Sequence, residues 1–210
     1  MTWFLALLRL TLTSPRAGLR AVLSRDLPPG TGLMGLALIA VLSSLALHAM
    51  GGLSPAPEVA VAPSGPEEAL YETLLGTPFT TALVQFVLFI VMAVLALVIG
   101  RWRGGTGTAD QAFLAMAWLE AAMFTVQIAL LLLMAVLLLL VPPLFVLVGS
   151  LSGPVLVGMF FWYLASFIAE LHGFRSVPRV LLAVILTLIL ASFLLSPILV
   201  ALIGPEALHV

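Results

Sequence analysis

An all-α, polytopic membrane bundle of five transmembrane helices follows from three features of the 210-residue chain. Hydrophobic residues make up 63% of it and charged residues only 8%, against about 45–50% and about 25% in an ordinary globular chain. Five apolar runs are each long enough to cross about 30 Å of hydrocarbon. No stretch alternates with period two, and a lipid-embedded backbone must satisfy its own hydrogen bonds, so the runs are helices rather than barrel strands.

The elements follow in chain order. Residues 1–30 form a basic, amphipathic segment. Trp3, Phe4, Leu7, Leu8, Leu10 and Leu12 make an apolar helical face with Arg9 at its edge. Ser14-Pro15 reads as an N-cap followed by proline at the first helical position. The helix it opens spaces Arg16 and Arg20 at i, i+4, opposite Leu19, Val22 and Leu23, and Leu27-Pro28-Pro29-Gly30 stops it. Arg9, Arg16, Arg20 and Arg25 are candidate contacts for lipid headgroups on an anionic leaflet. A topogenic positive patch with no further role is the alternative. The spans themselves are expected at about residues 32–50, 78–100, 112–141, 153–171 and 180–203, within a membrane domain of residues 31–204. Gly51-Gly52, Arg101, Pro142-Pro143, Gly173 and Gly204-Pro205 punctuate them. The outer loop, 51–77, is irregular at first and then helical over 66–75, with Glu67 and Glu68 in that helix's first turn. Residues 205–210 are a short outer tail. Residues 32–46 imitate a signal sequence, but the preceding thirty residues are too long for an n-region, so the first span is expected to be retained.

Charge fixes the orientation. Strict alternation puts all eight arginines in one compartment, against Asp26, Asp110 and Glu170, and leaves five glutamates in the other. The positive-inside rule makes the arginine side cytoplasmic, with the N-terminus in and the C-terminus out. All eight basic residues are Arg and none is Lys, a bias that suits a GC-rich bacterial genome and hence the bacterial inner membrane. A net charge of −1 argues against nucleic acid as a partner, since phosphate binding needs a concentrated basic surface. The chain has no cysteine, which excludes disulfides, thiolate-bound zinc and palmitoylation.

Polar groups near the spans supply the candidate sites. Glu120 and Gln127 lie seven apart, on nearly one helix face. With Gln85 and His48 they could form an intramembrane polar site for a proton or cation. However, residues 109–141 would extend about 50 Å, well beyond one bilayer crossing, which favours Glu120 at headgroup depth, snorkelling or paired with Arg101 or Arg103. Glu170 and His172 suggest a metal pair, yet an i, i+2 spacing turns them about 200° apart on a helix. A structural role in a cytoplasmic turn with Arg175 and Arg179 fits better, with Glu170 near one of those arginines. Rows of small residues, such as Ala40, Ser44 and His48, or Ala183, Thr187 and Ala191, allow close helix packing. Residues 104–108, rich in glycine, read as a flexible loop. Residues 149–154 read as a break between the third and fourth spans: a short re-entrant or surface turn, or the broken helix of a transporter. Pro197 is expected to kink the fifth span. There is no GxSxG, HExxH, Walker loop or paired catalytic carboxylates, so no enzyme, cofactor or metal site is expected.

Ser14-Pro15-Arg16 ahead of five spans, the segment Ala117-Trp118-Leu119-Glu120 at the third, and the turn Ala169-Glu170-Leu171-His172-Gly173-Phe174-Arg175-Ser176 together resemble the bacterial branch of the Ypt-interacting protein (Yip) domain family. The resemblance implies a five-span membrane protein of undefined role. Eukaryotic relatives bind small GTPases in vesicle traffic. Their Asp-Leu-Tyr-Gly-Pro type motif is absent here, so a GTPase partner is not carried over. The expected function is therefore non-enzymatic, through interaction with membrane lipids or other membrane proteins. A small transporter or channel using Glu120 is the alternative.

Overall fold

The computed structural model describes residues 2–51 and 75–203, with side chains over 3–49 and 75–194. Seven helices occupy the described residues: α1 (Thr2–Thr13), α2 (Pro15–Leu23), α3 (Thr31–Gly51), α4 (Pro78–Trp102), α5 (Ala109–Leu140), α6 (Pro142–His172) and α7 (Val177–Ile203). The last five are long and apolar enough to span a membrane. The expected helix at 66–75, with its glutamates, and the tail at 205–210 lie outside the described residues.

Local chemistry sets the helix ends. Thr77 caps α4 by accepting from the Thr80 amide at 3.2 Å, with Pro78 in the first turn. Thr108 and Gln111 form a reciprocal capping box at the start of α5. Gly173 closes α6 in the left-handed conformation at φ 72°, which a residue with a Cβ adopts only at a cost. The Phe174 amide then donates back to the Ala169 carbonyl at 2.7 Å.

One expectation is corrected here. Residues 149–154 do not break the chain: α6 runs unbroken from Pro142, with Pro154 inside it, and the turn after α5 is Val141 alone. The helix of the fourth span, α6, therefore starts eleven residues earlier than the glycine-proline pattern suggests. Proline and glycine punctuate helices in water, but in lipid the surrounding backbone has no solvent to turn to and the helix persists. Pro197 likewise lies within the continuous α7.

Packing is concentrated at one end. α3 lies against α4 and α5, α5 against α6, and α6 against α7. Leu36, Ala93, Leu119, Met123, Leu164 and Phe167 form the centre of the core. All belong to the half of the bundle nearer the arginines. A Cβ on Gly32 would overlap the Leu114 backbone, so this glycine lets α3 and α5 approach backbone to backbone. Towards the other end α5 and α6 continue as a pair whose apolar side chains face outward, Leu139 at 83% exposure and Val146 at 67%. Such a surface suits hydrocarbon and not water.

Candidate functional site: the arginine-bearing end

The first two helices form a hairpin that docks across α5 and α6. α1 buries Leu7, Leu8 and Thr11, and α2 buries Gly18, Leu19 and Val22. Gly18 permits the hairpin to close, because a Cβ there would overlap the Thr11 side chain and backbone. Two polar contacts orient the pair. The Trp118 indole donates to Thr11 Oγ1 at 2.8 Å, and the Thr11 hydroxyl donates in turn to the Leu7 carbonyl at 2.9 Å. The Tyr163 hydroxyl donates to the Leu12 carbonyl at 2.9 Å. Phe4 meets the Trp118 ring edge to face, with centroids 5.6 Å apart.

A carboxylate then fastens α2. Arg16 Nε donates to Glu170 Oε2 at 3.0 Å, while Arg20 donates Nε to Oε1 at 2.7 Å and Nη2 to Oε2 at 3.1 Å. The Arg20 contact is bidentate, the strongest form of such a pair, and its hydrogen bond to Glu170 holds the Arg20 guanidinium above its ordinary pKa. Glu170 thus pairs with neither Arg175 nor Arg179, the partners expected from their nearness in sequence. Arg16 Nη1 instead reaches the Arg175 carbonyl at 3.5 Å. Of the four arginines expected to meet lipid headgroups, Arg16 and Arg20 are committed to Glu170 and Arg25 lies 4.7 Å over the Trp3 ring. Arg9 stays exposed. The exposed flank of α1 carries apolar groups as well, Leu5 at 58% and Leu12 at 38%, while Trp3 lies on the other side of the helix with Arg25.

His172 takes the opposite direction from Glu170, as the i, i+2 geometry requires. Its ring is 3% exposed, stacks on Phe174 at 5.6 Å, and contacts the Ala96 carbonyl through Nε2 at 3.1 Å. The Gly107 amide donates to Nδ1 at 3.4 Å. Together these fit a neutral ring that carries its proton on Nε2. A Cβ on Gly100, Gly105 or Gly107 would collide with His172 or Leu171. The glycine-rich loop is therefore a fitted cradle and not the flexible connection expected of it. Arg101 Nε, donating to the Gly107 carbonyl at 2.9 Å, holds its far side. Among the described residues no group of acidic, histidine or cysteine side chains could hold a metal ion.

Among the described residues no hydrogen bond joins the four intramembrane polar candidates. His48 Nδ1 donates to the Ser44 carbonyl at 2.9 Å, and the Ser44 hydroxyl to the Pro78 carbonyl at 2.6 Å. Gln127 is exposed, and Gln85 Oε1 is buried without a partner. Glu120 is partly buried, and among the described residues it pairs with neither Arg101 nor Arg103.

This end carries a second feature that residue order alone does not reveal. α7 leans on α6 and barely touches α4, which leaves a cleft of about 390 Å³ among the three. Leu95 and Ile99 of α4, Ile168 of α6, and Val184 and Leu188 of α7 form its walls. Arg103, Arg175 and Arg179 stand at its mouth. Ala183 and Thr187, from one of the small-residue rows, also line it.

The family model for the Yip1 domain matches residues 9–198 of the chain. No curated protein and no solved structure matches it.

Proposed function

The chain belongs to the Yip1 domain family, and on that premise we propose that it is a non-enzymatic membrane protein that works by binding, through the hairpin at its arginine-bearing end. That end faces the cytoplasm from the bacterial inner membrane, with eight arginines on one side as the positive-inside rule asks. The partners are anionic lipids of the inner leaflet or other membrane proteins. Nucleic acid and a small GTPase are not among them.

One observation carries this reading. The hairpin is fastened to the bundle by Glu170, Trp118 and Tyr163, yet presents Leu5 and Leu12, seven residues apart on one helix face, outward beside Arg9. An apolar flank edged by a cation and held at fixed height suits the headgroup boundary or a partner helix lying there. A photoreactive residue placed at Leu5 or Leu12 in cells tests it. The expected products are phospholipid adducts or discrete membrane-protein adducts, with none from the same probe at the exposed Thr106. Probes at Leu5 and Leu12 that capture only water would contradict the proposal.

A further inference from the structure

We infer that the cleft between α4, α6 and α7 is a binding site for one anionic phospholipid, with the phosphate held by Arg103, Arg175 and Arg179 and an acyl chain lying along the walls. The polarity is segregated along the cleft. Its walls towards Leu188 are aliphatic apart from Thr187, whose hydroxyl is taken by the Ala183 carbonyl, whereas its mouth carries three guanidinium groups. From Arg179 to Leu188 the helix rises about 14 Å, so the charged and apolar parts lie one above the other as they do in a lipid. The arginines are exposed, and among the described residues no carboxylate pairs with them, since Glu170 is taken by Arg16 and Arg20. Three uncompensated cations over an apolar slot call for an amphiphile with an anionic head, and basic pockets between transmembrane helices on the inner side are lipid-headgroup sites in general. A free phosphate would leave the slot unfilled, and a neutral lipid would leave the arginines without a counter-charge. The site is separate from the hairpin surface, though it rests on the same reading that this end faces an anionic leaflet.

The test is lipid retention by the intact protein. Protein extracted from vesicles of equal phosphatidylglycerol and phosphatidylcholine is passed through detergent and weighed by native mass spectrometry. One phosphatidylglycerol per chain is expected to persist. Each arginine near an anionic headgroup is worth about fivefold, so R103A/R175A/R179A lowers the preference on the order of a hundredfold. R103K/R175K/R179K keeps most of it, because lysine supplies the charge. Ala183→Phe fills the slot and reduces retention of both lipids with every arginine present. Equal retention of the two lipids by the wild-type protein, or unchanged preference in the alanine triple variant, would overturn the inference. So would displacement of the lipid by inorganic phosphate with Ala183→Phe without effect, which marks an anion site and no chain slot. Failure of the hairpin proposal is read separately, as lost photoadducts from Leu5 and Leu12 with the lipid count unchanged.

Discussion

Glu170 has an 11% exposed side chain and accepts from two guanidinium groups at once. Replacing it with glutamine removes the charge while keeping the shape, so both pairs weaken together. Glu170→Gln is therefore expected to loosen α1 and α2 without unfolding the bundle, which hydrogen exchange would register as faster exchange over residues 2–23 alone. Arg16→Ala and Arg20→Ala are each expected to do less than Glu170→Gln, because the carboxylate keeps one partner. At His172 the sign of a substitution is less intuitive. Gly100→Ala improves helix propensity by about 1 kcal/mol, yet the new Cβ would overlap the imidazole. Overpacking of this kind costs about 1–3 kcal/mol, so a net loss of thermal stability is expected. His172→Ala in the same chain should recover part of it. The basic face of α2 was legible in the i, i+4 spacing of Arg16 and Arg20. Their partner was not, because it lies 150 residues further along and helical periodicity says nothing across a loop. The same limit explains Gly104–Thr108, where a glycine run reads as freedom until the ring it encloses is known.

The five long helices were legible because length and hydropathy alone decide them, and their ends mostly fell where Thr77, Thr108 and Gly173 supply caps. The start of α6 was misread for an equally physical reason: Gly149, Gly153 and Pro154 signal a break only when water competes for the backbone. Its continuity makes a prediction. Proline inside a helix forgoes one i→i−4 bond and crowds the preceding turn. If α6 is unbroken, Pro154→Ala restores that bond to the Ser150 carbonyl and raises the melting temperature in detergent. A re-entrant turn built around Pro154 would instead be destabilised by the same change. The hairpin shows a third kind of limit. Both its helices and the Ser14-Pro15 junction were readable. Its docking depends on Trp118 and Tyr163, whose polar tips had no visible partner in a one-dimensional reading.

At the scale of the whole molecule, core packing gathers beside the arginines, and the opposite half splays into α5 and α6 with lipid-facing leucines. A conducting pathway needs polar groups that meet along the bundle axis. Among the described residues Glu120, Gln127, Gln85 and His48 share no hydrogen bond, and His48 is satisfied by its own helix. The organised chemistry lies at one end, in Glu170 with its arginines, in the His172 cradle, and in the arginine-mouthed cleft. Charge clusters in the sequence located that end, while the convergence of Arg103 with Arg175 and Arg179 emerged only from the way α7 leans away from α4. The central claim is that this molecule binds and does not conduct. Proton and cation flux through purified protein in liposomes, wild type beside Glu120→Gln, tests it most directly. The account predicts no flux above empty liposomes from either protein. Flux through the wild type that Glu120→Gln abolishes would contradict it and make Glu120 part of a pathway.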